Sequence, residues 1–181
     1  MAKFEMSGED KTKKRKARKE SRILAVVDTR EQRPLNLERH GLATIRDTLP
    51  FGDYSLLLPD LRDTVTFERK SIGDFVACCY KERARFEKEV LAMRSYKYKY
   101  VVCEFALCEI FQGEYRSLIN PDSVASSIAK WSGYGVTFLF AESRDFASYL
   151  VAKMLIFIGN RVAGYAKTKT QNEDGGVHQD W

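Results

Sequence analysis

Several residues able to do chemistry stand where strands end or turns close, the places where a backbone holds a side chain rigidly. Asp28 follows the apolar run Ile23-Leu24-Ala25-Val26-Val27, Asp53 follows Gly52, and Glu68-Arg69-Lys70 follows Thr64-Val65-Thr66-Phe67. Asp74 lies one helical turn further on. In an extended strand residues i and i+2 share a face, so Glu68 and Lys70 point together and Arg69 points away, provided the strand persists through Lys70. A hairpin turning at Pro59-Asp60-Leu61 brings Asp53 within reach of Glu68 across adjacent strands. Clustered carboxylates repel and titrate upward unless a cation compensates them, and hard oxygen ligands of this kind suit Mg²⁺ or Mn²⁺. Phosphodiester hydrolysis uses such a set: the metal makes hydroxide from bound water and stabilises the leaving alkoxide. Lys70 would orient the nucleophilic water or shield the developing charge.

Each residue also has a plainer role. Asp28 is placed to cap the turn Thr29-Arg30-Glu31, Asp53 to serve as an ordinary turn residue, and Glu68-Arg69-Lys70 to be a charged strand end. Taken together, in the order strand-Asp, Gly-Asp, strand-Glu-x-Lys, they favour a nuclease site.

The elements that must position these groups read as one α/β domain over residues 21–163. Strands are expected at Ile23 to Val27, Leu42 to Leu49, Tyr54 to Leu58 and Thr64 to Glu68. Pro50, Gly52, Pro59 and Asp60 punctuate the last three into an antiparallel meander. From Ser71 the apolar spacing turns helical through Ile72, Phe75, Val76 and Cys79, then Phe86, Val90 and Met93, with a break near Tyr80. Tyr100 to Phe105 and Val136 to Phe140 are further strands. Asn120-Pro121-Asp122 opens a helix to about Trp131. A last helix, about Ser143 to Val162, carries Phe146, Leu150, Met154, Phe157 and Ile158 on one side, against the sheet or another subunit.

The chain has 181 residues and a net charge of +5, which suits one domain plus tails. Residues 1–22 hold nine Lys or Arg against four acids, leaving 21 basic and 21 acidic residues in the remainder. Bulk attraction to phosphate is therefore expected from the first 20 residues, read as a flexible basic arm in which Lys13, Lys14, Arg15 and Lys16 are candidate DNA contacts, or else as a solubilising tail. Residues 164–181 read as a second loose tail. The four cysteines form no CxxC pair, so neither a zinc knuckle nor a disulfide framework is expected. No secretory signal or membrane-length apolar run is present, and an intracellular location follows as the expectation, cytoplasmic or nucleoid, or nuclear in a eukaryote.

Val27-Asp28-Thr29-Arg30-Glu31, Gly52-Asp53-Tyr54 and Glu68-Arg69-Lys70-Ser71-Ile72-Gly73-Asp74 together resemble the nuclease domain of the XPF-type structure-specific endonucleases, whose signature GDx(n)ERKx(3)D is matched in full. The resemblance spans roughly Ile23 to Arg161. It implies a restriction-endonuclease-like α/β fold, a central mixed β-sheet flanked by helices, and Mg²⁺-dependent incision of DNA near junctions of duplex and single strand, in repair, recombination or replication. By motif position it puts metal ligands on Asp28, Glu31, Asp53 and Glu68 and the catalytic lysine at Lys70. Arg69 and Asp74 belong to the motif too, Arg69 as an organiser or phosphate contact with which Asp74 is placed to pair. Arg30, Arg83 and Arg85 are further DNA-contact candidates, a solvated helix face being the plainer alternative for the last two. Complete enzymes of the family usually add a tandem helix-hairpin-helix module, and the roughly 20 residues after Arg161 are too few for one, so a standalone nuclease domain is expected. Family nuclease domains also pair. A homodimer through the last helix, or an unidentified DNA-targeting partner, is accordingly expected. Two other functions fit the same residues less fully: a non-catalytic DNA-binding scaffold subunit, and a restriction-like nuclease that reads sequence.

Overall fold

The computed structural model describes residues 23–57, 64–113, 115 and 119–173. The basic arm, the turn at Pro59-Asp60-Leu61 and the end of the chain lie outside them. The β-branched and apolar runs become strands β1 (Leu24–Asp28), β2 (Ala43–Asp47), β3 (Tyr54–Leu56), β4 (Val65–Lys70), β5 (Tyr98–Cys103) and β6 (Thr137–Phe140), in one six-stranded sheet of order β2-β1-β3-β4-β5-β6. β3 is antiparallel to β1 and β4, whereas β1 with β2, β4 with β5 and β5 with β6 pair in parallel.

The expected antiparallel meander is thus only half realised. β2 does not precede β3 in the sheet but takes the edge beside β1, parallel to it. Residues 29–42 provide the long connection a parallel partner requires. They include a 3₁₀ turn at Glu38–His40 that is closed by Gly41 at φ 82°. The chain then passes the end of β1 and enters β3 on its other side.

Five helices cover the sheet: α1 (Ile72–Cys79), α2 (Arg83–Met93), α3 (Leu107–Gln112), α4 (Pro121–Ser132) and α5 (Arg144–Glu173). Ser71 caps α1 by accepting from the Asp74 N–H at 3.3 Å, and α1 ends at Tyr80, whose φ and ψ of −126° and −90° leave the helical region. Asn120 caps α4 through its side-chain oxygen, which accepts from the Asp122 N–H at 2.9 Å. α5 continues to Glu173, past the expected end at Val162. No Pro follows Val162, and the next Gly beyond Gly164 is Gly175, so nothing in that polar stretch stops a helix.

Strand alternation divides the core in two. Val27, Tyr54 and Phe67 pack against Ala147, Val151 and Leu155 of α5. Val101 and Cys103 pack against Phe75 of α1, Phe86 and Val90 of α2, and Trp131 of α4. The sheet is therefore buried on both faces, each large side chain contributing on the order of 1.5–3 kcal/mol. Cys78, Cys79 and Cys103 are buried, and Cys108 is exposed. Burial pushes the Cys78 thiol up to about 12, so it acts as core filling. Among the described residues no helix is long and apolar enough to cross a membrane.

Candidate active site

The residues flanking Val27, Tyr54 and Phe67 along their strands face away from α5, and these are Asp28, Asp53 and Glu68. Asp53 enters the sheet through a backbone bond from its N–H to the Phe67 carbonyl, 2.7 Å, which sets it beside Glu68. Gly52 makes that approach possible. Its φ is +77°, and a Cβ there would collide with the Thr66 hydroxyl and the Phe67 carbonyl. Tyr54 completes the turn by accepting the Leu35 N–H at 2.8 Å, tying the segment after β1 to β3.

Asp28, Asp53 and Glu68 line one cleft of about 200 Å³, together with Arg30, Pro50, Phe51, Gly52, Glu89 and Met93. The carboxylates sit in different electrostatic states. Burial would raise the pKa of Asp28, but hydrogen bonds from the Arg30 side chain and from the Leu49 and Arg30 backbone outweigh it and hold the group below the ordinary range. Its Oδ1 accepts from Arg30 Nε at 2.7 Å and its Oδ2 from the Leu49 N–H at 2.7 Å. Asp53 is the opposite case. Burial, then the Glu68 charge, push it up to about 8, although the Arg69 N–H donates to it at 2.7 Å. Burial also raises Glu68, even with Lys70 Nζ 2.6 Å from its Oε1. In Lys70 the attraction of Glu68 overcomes burial, so the ammonium is held charged, lying 5.0 Å above the Phe86 ring.

Glu31 and Arg69 lie on the other face. Arg69 bonds Glu31 through Nε at 2.9 Å and Glu104 through Nη1 at 3.2 Å, and Glu104 in turn pairs with Arg144 at the start of α5 at 2.5 Å. Arg69 and Asp74 do not pair as expected; Asp74 accepts the Ser71 hydroxyl at 2.7 Å, because its place in the first turn of α1 puts it at the helix cap. Arg85 forms ion pairs with Glu82 and Glu89 on α2, while Arg83 opens that helix. Sequence reasoning passed over Glu89, Phe51 and Glu104. Glu104 had a signal: Val101-Val102-Cys103-Glu104 repeats the pattern of an apolar strand ending in an acid that marked Asp28.

The "ERCC4 domain" family model matches residues 27–154, more than half of the chain. The chain belongs to the ERCC4 domain family. Solved structures similar to it include two of XPF from Aeropyrum pernix. XPF from Aeropyrum pernix in complex with DNA is 24% identical with a TM-score of 0.60, covering 77% of this chain and 66% of its own. A second structure, XPF from Aeropyrum pernix, is 21% identical with a TM-score of 0.60, covering 86% of this chain and 75% of its own. The chain thus spans just under two thirds of the first of these. No curated protein sequence matches. The fold is that of the XPF nuclease domain, restriction-endonuclease-like, and the three motifs bearing the ERCC4 resemblance supply Asp28, Asp53 and Glu68 to the cleft and Arg69 to the ion-pair chain behind it.

Among the described residues no three Asp, Glu, His or Cys side chains converge as a ready metal site. Asp28 faces Arg30 and Glu31 faces Arg69. The chemistry of the remaining pair nevertheless fits a hard divalent cation. Asp53 and Glu68 are adjacent, largely buried carboxylates, both displaced towards protonation chiefly by burial, and a cation between them would favour the ionised form of each.

Proposed function

We propose that this chain is a Mg²⁺- or Mn²⁺-dependent DNA endonuclease that hydrolyses phosphodiester bonds at branched, flap or fork structures. The observation that carries the proposal is the pair Asp53 and Glu68, held side by side with raised pKa values in an open cleft and backed by a charged lysine. A scaffold subunit has no use for two buried carboxylates that share one lysine, Lys70, at the wall of an open cleft.

Asp53 and Glu68 would hold the cation, with Asp28 joining once Arg30 leaves it. When bound, such a cation lowers the pKa of its water and neutralises the non-bridging phosphate oxygens. Arg30 is 66% exposed while Asp28 is 1% exposed, so its guanidinium would exchange its bonds to Asp28 and to the Leu49 carbonyl for bonds to a phosphate oxygen. Lys70 opposes the protonation of Glu68 and uses one of its three N–H donors on it; the others serve the attacking water and the charge that develops on the phosphoryl oxygens. Glu31, Arg69, Glu104 and Arg144 orient β4 from behind, and Glu31 acts there through Arg69 rather than on the metal. The basic arm adds phosphate contacts, and a second copy or another protein supplies targeting.

The test incubates the purified chain with labelled 3′-flap, fork, duplex and single-stranded DNA in Mg²⁺, beside Asp53→Ala and Lys70→Ala. Cutting concentrated at the branch and lost by about 10²-fold or more in both variants is expected. Wild type and variants that degrade DNA alike would place the chemistry elsewhere, and equal cutting of linear duplex at fixed sequences would make the enzyme a sequence reader.

A further inference from the structure

Phe51 stands two residues before Asp53, lines the same cleft and is 43% exposed. Hydrophobic burial does not account for an aromatic ring held in the open. The backbone beneath it is rigid: the Phe51 carbonyl accepts the Thr66 hydroxyl at 3.2 Å, and Gly52 is pressed against Thr66 and Phe67 with no space for a side chain. The ring meets Tyr96 edge-on, centroids 6.4 Å apart at 87°, which braces it on one side. Pro50 and Met93 line the same cleft, so its wall combines apolar side chains with the carboxylates of Asp28, Asp53 and Glu68.

We propose that Phe51 is a stacking platform for one unpaired nucleobase next to the phosphate held at Asp53 and Glu68. The inference rests on the nuclease reading of that cleft and specifies what the site selects. Phe51, Asp53 and Glu68 line one cleft, and two residues of chain span at most about 7 Å, so a phosphate bridged to the carboxylates by the cation has a neighbouring nucleoside within reach of the ring. Stacking on an aromatic side chain tolerates every base because each has a π-face. A base inside a duplex has both faces covered by its neighbours, and only an unpaired or splayed base offers one to Phe51. The platform thereby selects a strand that is open at the point of cutting, without reading its sequence.

The test uses the full chain and a 3′-flap DNA carrying 2-aminopurine at each of the three nucleotides on either side of the branch in turn. Fluorescence and anisotropy are read in Mg²⁺ by stopped flow before cutting proceeds, and cutting is read in the same buffer. Wild type and Phe51→Trp should quench one position, whereas Phe51→Leu and Phe51→Ala leave it bright. The same two variants should lose about 5- to 150-fold in affinity for flap DNA, the effect of one base–aromatic stack, with little change for duplex. If Phe51→Leu and Phe51→Ala quench and cut like wild type, the platform is refuted while the nuclease reading stands. If Phe51→Trp fails as badly as Phe51→Ala, the ring serves packing and the platform is again refuted. Wild type that neither binds nor cuts any of the DNAs overturns the nuclease reading and the platform together.

Discussion

The guanidinium of Arg69 lies flat against the carboxylate of Glu31, with Nε 2.9 Å from Oε2 and Nη2 3.2 Å from Oε1. The same residue's backbone N–H holds Asp53 at 2.7 Å. One arginine therefore fixes an acid on each face of the sheet, by its side chain on one and its main chain on the other.

Arg69→Ala is expected to destabilise the protein by about 3–5 kcal/mol, the cost of leaving a partly buried charge unpaired, since its side chain is 12% exposed and Glu31's 5%. Arg69→Lys should recover only part of this, because an ammonium does not make the paired contact. Urea unfolding of both variants checks the order, and equal stability of wild type and Arg69→Ala would show that the ion pair contributes nothing net.

Asp53 sets the pH dependence. Its folded pKa of about 8 stands above the ordinary 3.8, so between those values the folded state retains a proton that the unfolded chain has lost. Stability of the cation-free protein must then fall as pH rises from about 4 to 8. Asp53→Asn should flatten that slope and raise the melting temperature at pH 8. Mg²⁺ should raise the wild-type melting temperature there, by roughly 2.7 kcal/mol of stability at a hundred times its dissociation constant, and leave Asp53→Asn unmoved. Because cation and proton compete for the same carboxylate, cutting should increase with pH up to about 8. A wild-type melting temperature independent of both pH and Mg²⁺ contradicts this account.

Lys70→Met removes a charge from the site and strands another, since Glu68 loses its 2.6 Å partner. Activity should fall by about 10²–10³-fold and stability should drop too. The double variant Glu68→Gln with Lys70→Met should recover stability without recovering activity, as replacing both members of a buried pair is far milder than removing one. Thermal melts and flap cleavage, run side by side, separate the two effects.

Removing residues 1–20 should weaken binding to every DNA tested and flatten the salt dependence of the affinity, because the phosphate contacts of Lys13, Lys14, Arg15 and Lys16 release counterions. A slope unchanged between 50 and 200 mM salt demotes the arm to a solubilising tail.

Much of the site was legible because it obeys strand periodicity. Glu68 and Lys70 share a face, Arg69 takes the other, and Asp53 lies beside Glu68, as alternation and a hairpin require. The position of β2 was not legible, since whether a strand joins its predecessor in parallel depends on how residues 29–42 pack, which local pattern does not encode. The engagement of Glu31 by Arg69 was hidden for the same reason: the two are 38 positions apart in sequence. Nothing in the sequence singled out Phe51, and only its exposure beside the carboxylates distinguishes it.

β4 acts as a partition, with the Glu68–Lys70 pair on one face and Phe67 and Arg69, packed towards α5 and Glu31, on the other. Its alternation places a constraint on how the gene can change. One codon gained or lost inside Val65–Lys70 would turn every later side chain to the opposite face, sending a glutamate and a lysine into the α5 core and an arginine into the cleft. The interval between β3 and β4 is under no such rule, since extra length there costs free energy only logarithmically. Insertions and deletions should therefore accumulate between Leu56 and Val65 and be purged within β3 and β4, so that the two halves of the site drift apart along the sequence while remaining neighbours in space.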